Sequence, residues 1–181
     1  LDGAPLRGVK IYASGGLKSA VTNGQGFYSI TAPDPGSFTL TPMPTYQLIP
    51  VALSREVLVA GGDVSGVDFV FRKTGVNKVI FGRIVESSKP VAGVDVNIVG
   101  QAAVQTDVNG VFVFPEMPQG RYYIYARKEG VTFAPPLVEV LLNKYYNRPL
   151  AFAGFSRPAG SDYETWLTGL WDMSLSILST D

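Results

Sequence analysis

Apolar and polar residues alternate with period two in segment after segment of this chain. Val9-Lys10-Ile11-Tyr12 and Val94-Asp95-Val96-Asn97-Ile98 put every second residue on one apolar face, as half-buried strands do. Trp171-Asp172-Met173-Ser174-Leu175-Ser176-Ile177 alternates without error near the end of the chain. Between such runs lie tight polar turns, Asn23-Gly24-Gln25-Gly26 and Asp107-Val108-Asn109-Gly110, where glycine and asparagine supply positive φ. Short strands separated by Gly/Pro turns about every ten residues predict an all-β, antiparallel β-sandwich architecture with about seven strands per unit. Thirteen prolines and twenty glycines argue against long helices before residue 160.

The pattern occurs twice. Pro5-Leu6-Arg7-Gly8-Val9-Lys10-Ile11 returns as Pro90-Val91-Ala92-Gly93-Val94-Asp95-Val96, 85 residues later. Thr22-Asn23-Gly24-Gln25-Gly26-Phe27-Tyr28-Ser29-Ile30 returns as Thr106-Asp107-Val108-Asn109-Gly110-Val111-Phe112-Val113-Phe114, 84 residues later. Gly36 to Leu40 matches Gly120 to Ile124, Leu48-Ile49-Pro50 matches Phe133-Ala134-Pro135, and Phe69-Val70-Phe71 matches Leu150-Ala151-Phe152. A repeat of this length is a whole small domain rather than a solenoid unit. The division expected is a first sandwich over 1–73, a second over 78–154, and a linker with a terminal strand over 155–181. Asp162 would cap a short helix in that tail. Val9, Ile11, Phe27 or Tyr28, Phe38, Leu40, Phe69 and Phe71 should fill the first core. Val94, Val96, Phe112, Phe114, Tyr122, Ile124 and Phe152 should fill the second.

The order of these signals resembles the carboxypeptidase regulatory-like, or transthyretin-like (prealbumin-like), family. A Phe81-Gly82-Arg83-Ile84-Val85 strand leads into the Pro90 to Val96 step and the Thr106 to Phe112 turn. The Pro118-Gln119-Gly120-Arg121-Tyr122 strand and the closing Leu150 to Phe152 strand follow. Residues 1–71 carry the same series without its opening strand. The matched residues are turn and core positions, so the resemblance implies a fold far more than a function. Related repeats in bacterial adhesins carry Lys–Asn isopeptide bonds, for which the resemblance would nominate Lys78, Asn147 and an assisting Glu116.

Composition narrows the chemistry. Fifteen basic and fifteen acidic residues are mixed along the chain, leaving no basic stripe for a nucleic acid. No apolar run reaches the roughly 18 residues that span a bilayer. Histidine and cysteine are both absent, which excludes imidazole or thiolate metal sites and His-assisted nucleophiles. The sequence opens on Leu1 rather than methionine, which reads as a processed product or excised fragment. The one close acid pair, Asp162 and Glu164, sits in the polar tail. Ser87-Ser88-Lys89 reads as a turn rather than a Ser–Lys dyad. Calcium at the Asp107/Asn109 turn is the weaker account, because the first repeat has no carboxylate there. No cofactor, metal site or enzymatic activity is expected.

Two features point to assembly. Tyr122, Ile124 and Ala126 should face the core, which leaves Tyr123, Tyr125 and Arg127 outward. That row suits an interface covered by a neighbouring domain or by the tail, or a sugar-stacking platform with Trp166. The tail offers a strand whose greasy face, Trp171, Met173, Leu175 and Ile177, has no partner in its own repeat, while the first repeat lacks its opening strand. The 18 residues between Phe152 and Trp171, at about 3.3 Å each, just permit insertion in cis. In trans the contact gives a filament. The sequence thus predicts an extracellular, cell-surface structural protein whose copies join by donor-strand addition. The alternatives are a non-catalytic spacer or adhesion module of a larger surface protein, with neighbouring domains as partners, and a carbohydrate-binding module with a glycan partner.

Overall fold

A computed structural model describes residues 3–45, 47–143 and 148–156, and every regular element among them is a β-strand. The first repeat supplies β1 (Lys10–Ala13), β2 (Ala20–Val21), β3 (Gly36–Pro42), β4 (Leu48–Pro50), β5 (Arg55–Val59) and β6 (Phe71–Lys73). The second supplies β7 (Lys78–Glu86), β8 (Lys89–Pro90), β9 (Asp95–Ile98), β10 (Val104–Gln105), β11 (Val111–Met117), β12 (Gly120–Arg127), β13 (Val131–Ala134), β14 (Val138–Leu142) and β15 (Leu150–Ser156). Among the described residues, six strands and nine therefore stand where about seven each were expected.

One sheet recurs in both repeats. β2-β1-β3-β5 and β10-β9-β12-β14 have the same order and register: Tyr12 faces Thr41 across β1 and β3, as Asn97 faces Tyr125 across β9 and β12. The turn chemistry recurs atom for atom. The Thr22 hydroxyl accepts from Val9 N at 2.9 Å and donates to Leu6 O at 2.6 Å, and that of Thr106 accepts from Val94 N at 2.9 Å and donates to Val91 O at 2.7 Å. The Asn23 and Asp107 side chains each accept two backbone N–H groups of their own turn, closing identical Asx turns.

The second sheets differ. In the second repeat β11-β7-β15-β13 is complete, with β8 paired on β7. One pairing departs from the antiparallel expectation, because β15 runs parallel to β7. β7 opens the repeat and β15 closes it, so a long excursion joins them, as parallel neighbours require. In the first repeat only β4 and β6 pair.

The cores follow suit. Thirteen buried residues, Ile80, Ile84, Phe112 and Phe152 among them, form the second core, against five in the first: Val9, Ile11, Ala13, Leu40 and Phe71. The expected core residues of the second repeat are buried, except that Tyr122 is half-buried and donates its hydroxyl to Pro118 O at 2.8 Å. Phe38 and Phe69 are only half-buried, and of the two turn aromatics Tyr28 packs inward while Phe27 is 72% exposed. A smaller first core leaves less to cover them.

β7 is central to the second repeat. Its inner face sends Ile80 and Ile84 into the core, with Gly82 between them. A Cβ on Gly82 would lie 2.3 Å from Leu150 O and 2.6 Å from Phe112 Cζ, so only glycine lets β15 and the Phe112 ring close on the strand. Phe112 also meets Phe114 edge-on and Phe152 at a tilt, each at 6.3 Å between centroids. Phe112→Ala should cost about 3 to 5 kcal/mol. Gly82→Ala should cost about 1 to 3 kcal/mol by overpacking. Urea titration of the intact chain would read both, and a neutral Gly82→Ala would contradict the close approach.

Candidate assembly surfaces

A groove of about 290 Å³ opens in the first repeat, floored by Leu6, Val9 and Ile11 and walled by Tyr28, Phe69 and Phe71. Its position follows from the repeat. In the second repeat β7 lies between β11 and β15, pairing Phe112 with Gly82 and Phe152 with Ile84. The counterparts of those flanking strands are the segments around Tyr28 and Phe71, which line the groove. No strand pairing is assigned to residues 27–33 or 64–70. Phe27 and Val70 stand at the rim, 72% and 65% exposed.

Tyr28 reaches across this gap and donates its hydroxyl to Val67 O at 2.6 Å. Burial raises the hydroxyl above its ordinary pKa of 10.0; the Asp68 carboxylate pushes the same way and the Arg55 guanidinium opposes it.

A second surface lies between the repeats. Tyr12, Met43 and Ile49 of the first pack against Val79, Phe81, Val111 and Val113 of the second. A polar network fixes the register of that contact. The Thr41 hydroxyl donates to Asp107 Oδ2 at 2.6 Å and accepts from Asn109 Nδ2 at 2.9 Å, and the same amide donates to Thr39 O at 2.9 Å. Arg83 stacks on Tyr12 at 4.2 Å and donates from Nε to Asn109 O at 2.8 Å. Arg72 and Glu116 form an ion pair beside it, both about half exposed and so of little energetic weight.

Sequence reasoning gave Asp107 and Asn109 a turn role only. The sequence signal that could have shown their second role, seating the second repeat on the first, is the contrast between Thr39/Thr41 and Tyr123/Tyr125 at matched positions. The Asp107 oxygens are engaged by two backbone N–H groups and a hydroxyl, and no cluster of potential metal-binding side chains occurs among the described residues.

The remaining sequence candidates divide. Tyr123, Tyr125 and Arg127 alternate along β12 with the buried Ile124, and Tyr123 is 39% exposed. Among the described residues, the apolar contact between the repeats runs from the second repeat onto the sheet of the first. Ser87 and Ser88 occupy a positive-φ turn between β7 and β8. Lys78 is buried, but Glu116 lies exposed at a bulge and pairs with Arg72, so it is not the buried acid an isopeptide bond would need. Asn147, Asp162, Glu164, Trp166 and the tail strand residues Trp171, Met173, Leu175 and Ile177 lie outside the described residues.

No protein-family model and no curated protein matches the chain. Two solved structures are similar at 14% identity. A streptococcal ancillary pilin is covered over 60% of its length by 87% of this chain, with a TM-score of 0.38. A minor pilin of the Gram-positive pathogen Streptococcus agalactiae is covered over 87% of its length by 88% of this chain, with a TM-score of 0.36. The chain spans less than two thirds of the ancillary pilin. Likeness at this level carries no argument about fold or function.

Two tests follow from this geometry. Asn109→Ala removes two hydrogen bonds between the repeats at a buried site and should cost about 1 to 3 kcal/mol. In a double-mutant cycle with Thr41→Val the pair should couple by roughly 0.5 to 3 kcal/mol, and additive losses would mean the network does not tie the repeats together. Tyr28 is held neutral more tightly in the fold than in the unfolded chain. Its contribution is complete below pH 10.0 and is lost as pH climbs from there toward the raised value. The wild type should therefore lose more stability above that pH than Tyr28→Phe does, and superposable alkaline limbs would refute the shift.

Proposed function

We propose that this chain is a non-catalytic structural subunit of a cell-surface fibre or layer, and that its first repeat is completed by a β-strand from another copy. Its units are taken as 1–73 and 78–154, with the tail 155–181 as donor. The observation that carries this reading is the groove over Val9 and Ile11, at the position that β7 fills in the second repeat.

The physical case is strand addition. A strand entering between the Tyr28 and Phe71 segments would gain main-chain hydrogen bonds on both edges and bury alternate side chains on the floor. The segment Trp171 to Ile177 has the required alternation. Burying Trp171, Met173, Leu175 and Ile177 would contribute on the order of 6 to 12 kcal/mol before ordering costs, at about 1.5 to 3 each. An incoming strand must displace the Tyr28–Val67 hydrogen bond, so Tyr28 acts as a plug that closes the groove until a donor arrives.

The test is removal and return of the strand. Deleting residues 171–181 should leave monomers with a less stable first repeat, and a Trp171–Ile177 peptide should raise the melting temperature in proportion to its concentration. The same peptide with Met173→Asp and Leu175→Asp should not. If deletion leaves assembly and stability unchanged, the chain is a spacer module whose groove is filled by neighbouring segments of a longer protein.

A further inference from the structure

The repeat makes the contact between the two halves into a rule that can be applied once more. In the first repeat the outer face of β1 and β3 presents Tyr12, Thr39, Thr41 and, just beyond, Met43, and the second repeat's Asp107–Val111 turn is seated there. The matched positions in the second repeat are Asn97, Tyr123, Tyr125 and Arg127, in the same ladder register. A groove of about 680 Å³ opens beside them, lined by Asp95, Asn97, Arg127, Lys128 and Phe133. It lies at the corner that corresponds to the Met43/Ile49 seat of the first repeat.

The partner half of the rule is also free. The first repeat's own turn, Asn23 to Phe27, has the geometry of the Asp107 to Val111 turn, yet Phe27 is 72% exposed where its counterpart Val111 is buried in the contact. We infer that the outer face of β12 is the docking surface for the Asn23–Phe27 turn of a second copy, so that copies stack head to tail as the two repeats stack within one chain. This rests on the assembly reading above; Phe27 also stands at the rim of the first-repeat groove, but the accepting face on β12 is separate from it.

The substitutions between repeats fit each other. The accepting positions grow from Thr39, Thr41 and Met43 to Tyr123, Tyr125 and Arg127. The inserted turn lengthens to match, from Asn109 to Gln25 and from Val111 to Phe27. Gln25 keeps an amide able to donate to a β12 carbonyl or a tyrosine hydroxyl across the taller surface. Phe27 would lie against Arg127, a cation–π pair replacing the Val111–Met43 contact. The contact is heterologous, with different surfaces on the two copies, and it therefore propagates without closing.

Sedimentation velocity on the full chain reads this directly. Phe27→Lys sets a lysine against Arg127, and Arg127→Glu removes the cation. Both residues are exposed, so melting temperatures should hold while each variant weakens self-association by roughly tenfold or more. An equimolar mixture of the two should regain assembly, because every interface then pairs Lys with Glu or Phe with Arg. Loss of association only on deleting residues 171–181, with both variants unchanged, would overturn this inference and leave strand addition standing. Association lost in the variants but not after that deletion would support the docking face and sink strand addition. Glycan binding lost on Tyr123→Ala and Tyr125→Ala, without self-association of the wild type, would overturn it in favour of a sugar platform.

Discussion

The structure depends on how many sides of one strand are satisfied. β7 has both edges paired, to β11 and β15, and both faces covered, one by the second core and the other by the first repeat. Each unmade backbone bond or uncovered apolar side chain on such a strand would carry its own penalty, and an interior strand escapes them all at once. The second repeat is organised around that position. The first repeat has its floor and its walls but no strand of the described chain in the same place, and its core is correspondingly thin. A single absence in an otherwise matched pair explains the irregular segments 27–33 and 64–70 without any defect in their sequence.

Much of this was legible beforehand. Period-two alternation located β1, β9 and β12, and the Thr–Asx–Gly turns recur with the same hydrogen bonds wherever the residues recur. The outward row Tyr123, Tyr125, Arg127 follows from alternation alone, because a strand's faces are fixed once one inward residue is known. What resisted reading was non-local. That β15 lies parallel to β7 depends on which strands meet after a long excursion, and nothing in either strand's own residues announces it. The choice between Phe27 and Tyr28 as the inward aromatic depends on where the Asx turn releases the chain, one residue deciding which face each ring takes. Asp107 and Asn109 look like turn residues because they are; only the partner sheet reveals that spare lone pairs and an amide are also used outward.

Differences between matched positions carry more functional information than the matches do. Thr22 and Thr106, or Val9 and Val94, agree because each repeat needs the same turn and core. Thr41 and Tyr125 differ although they share a ladder position, and so do Val111 and Phe27. Fold does not ask for these changes, since both members of each pair occupy the same backbone geometry. They are the positions where one repeat meets its neighbour inside the chain and where, under the proposed docking, the other would meet a second copy.

Strand addition and face docking would also perform different work in an assembly. An inserted strand would supply most of the affinity, because it adds main-chain hydrogen bonds and buries alternate side chains, yet a single inserted strand does little to fix the angle between units. The contact between the two repeats shows what does fix one: a hydroxyl shared between a carboxylate and an amide, a guanidinium laid over a phenol ring, and an apolar patch beside them. Directional bonds of that kind hold only one register. A subunit built on both would be tethered by its strand and aligned by its faces. Stiffness along a fibre would then be set by residues that contribute modestly to binding.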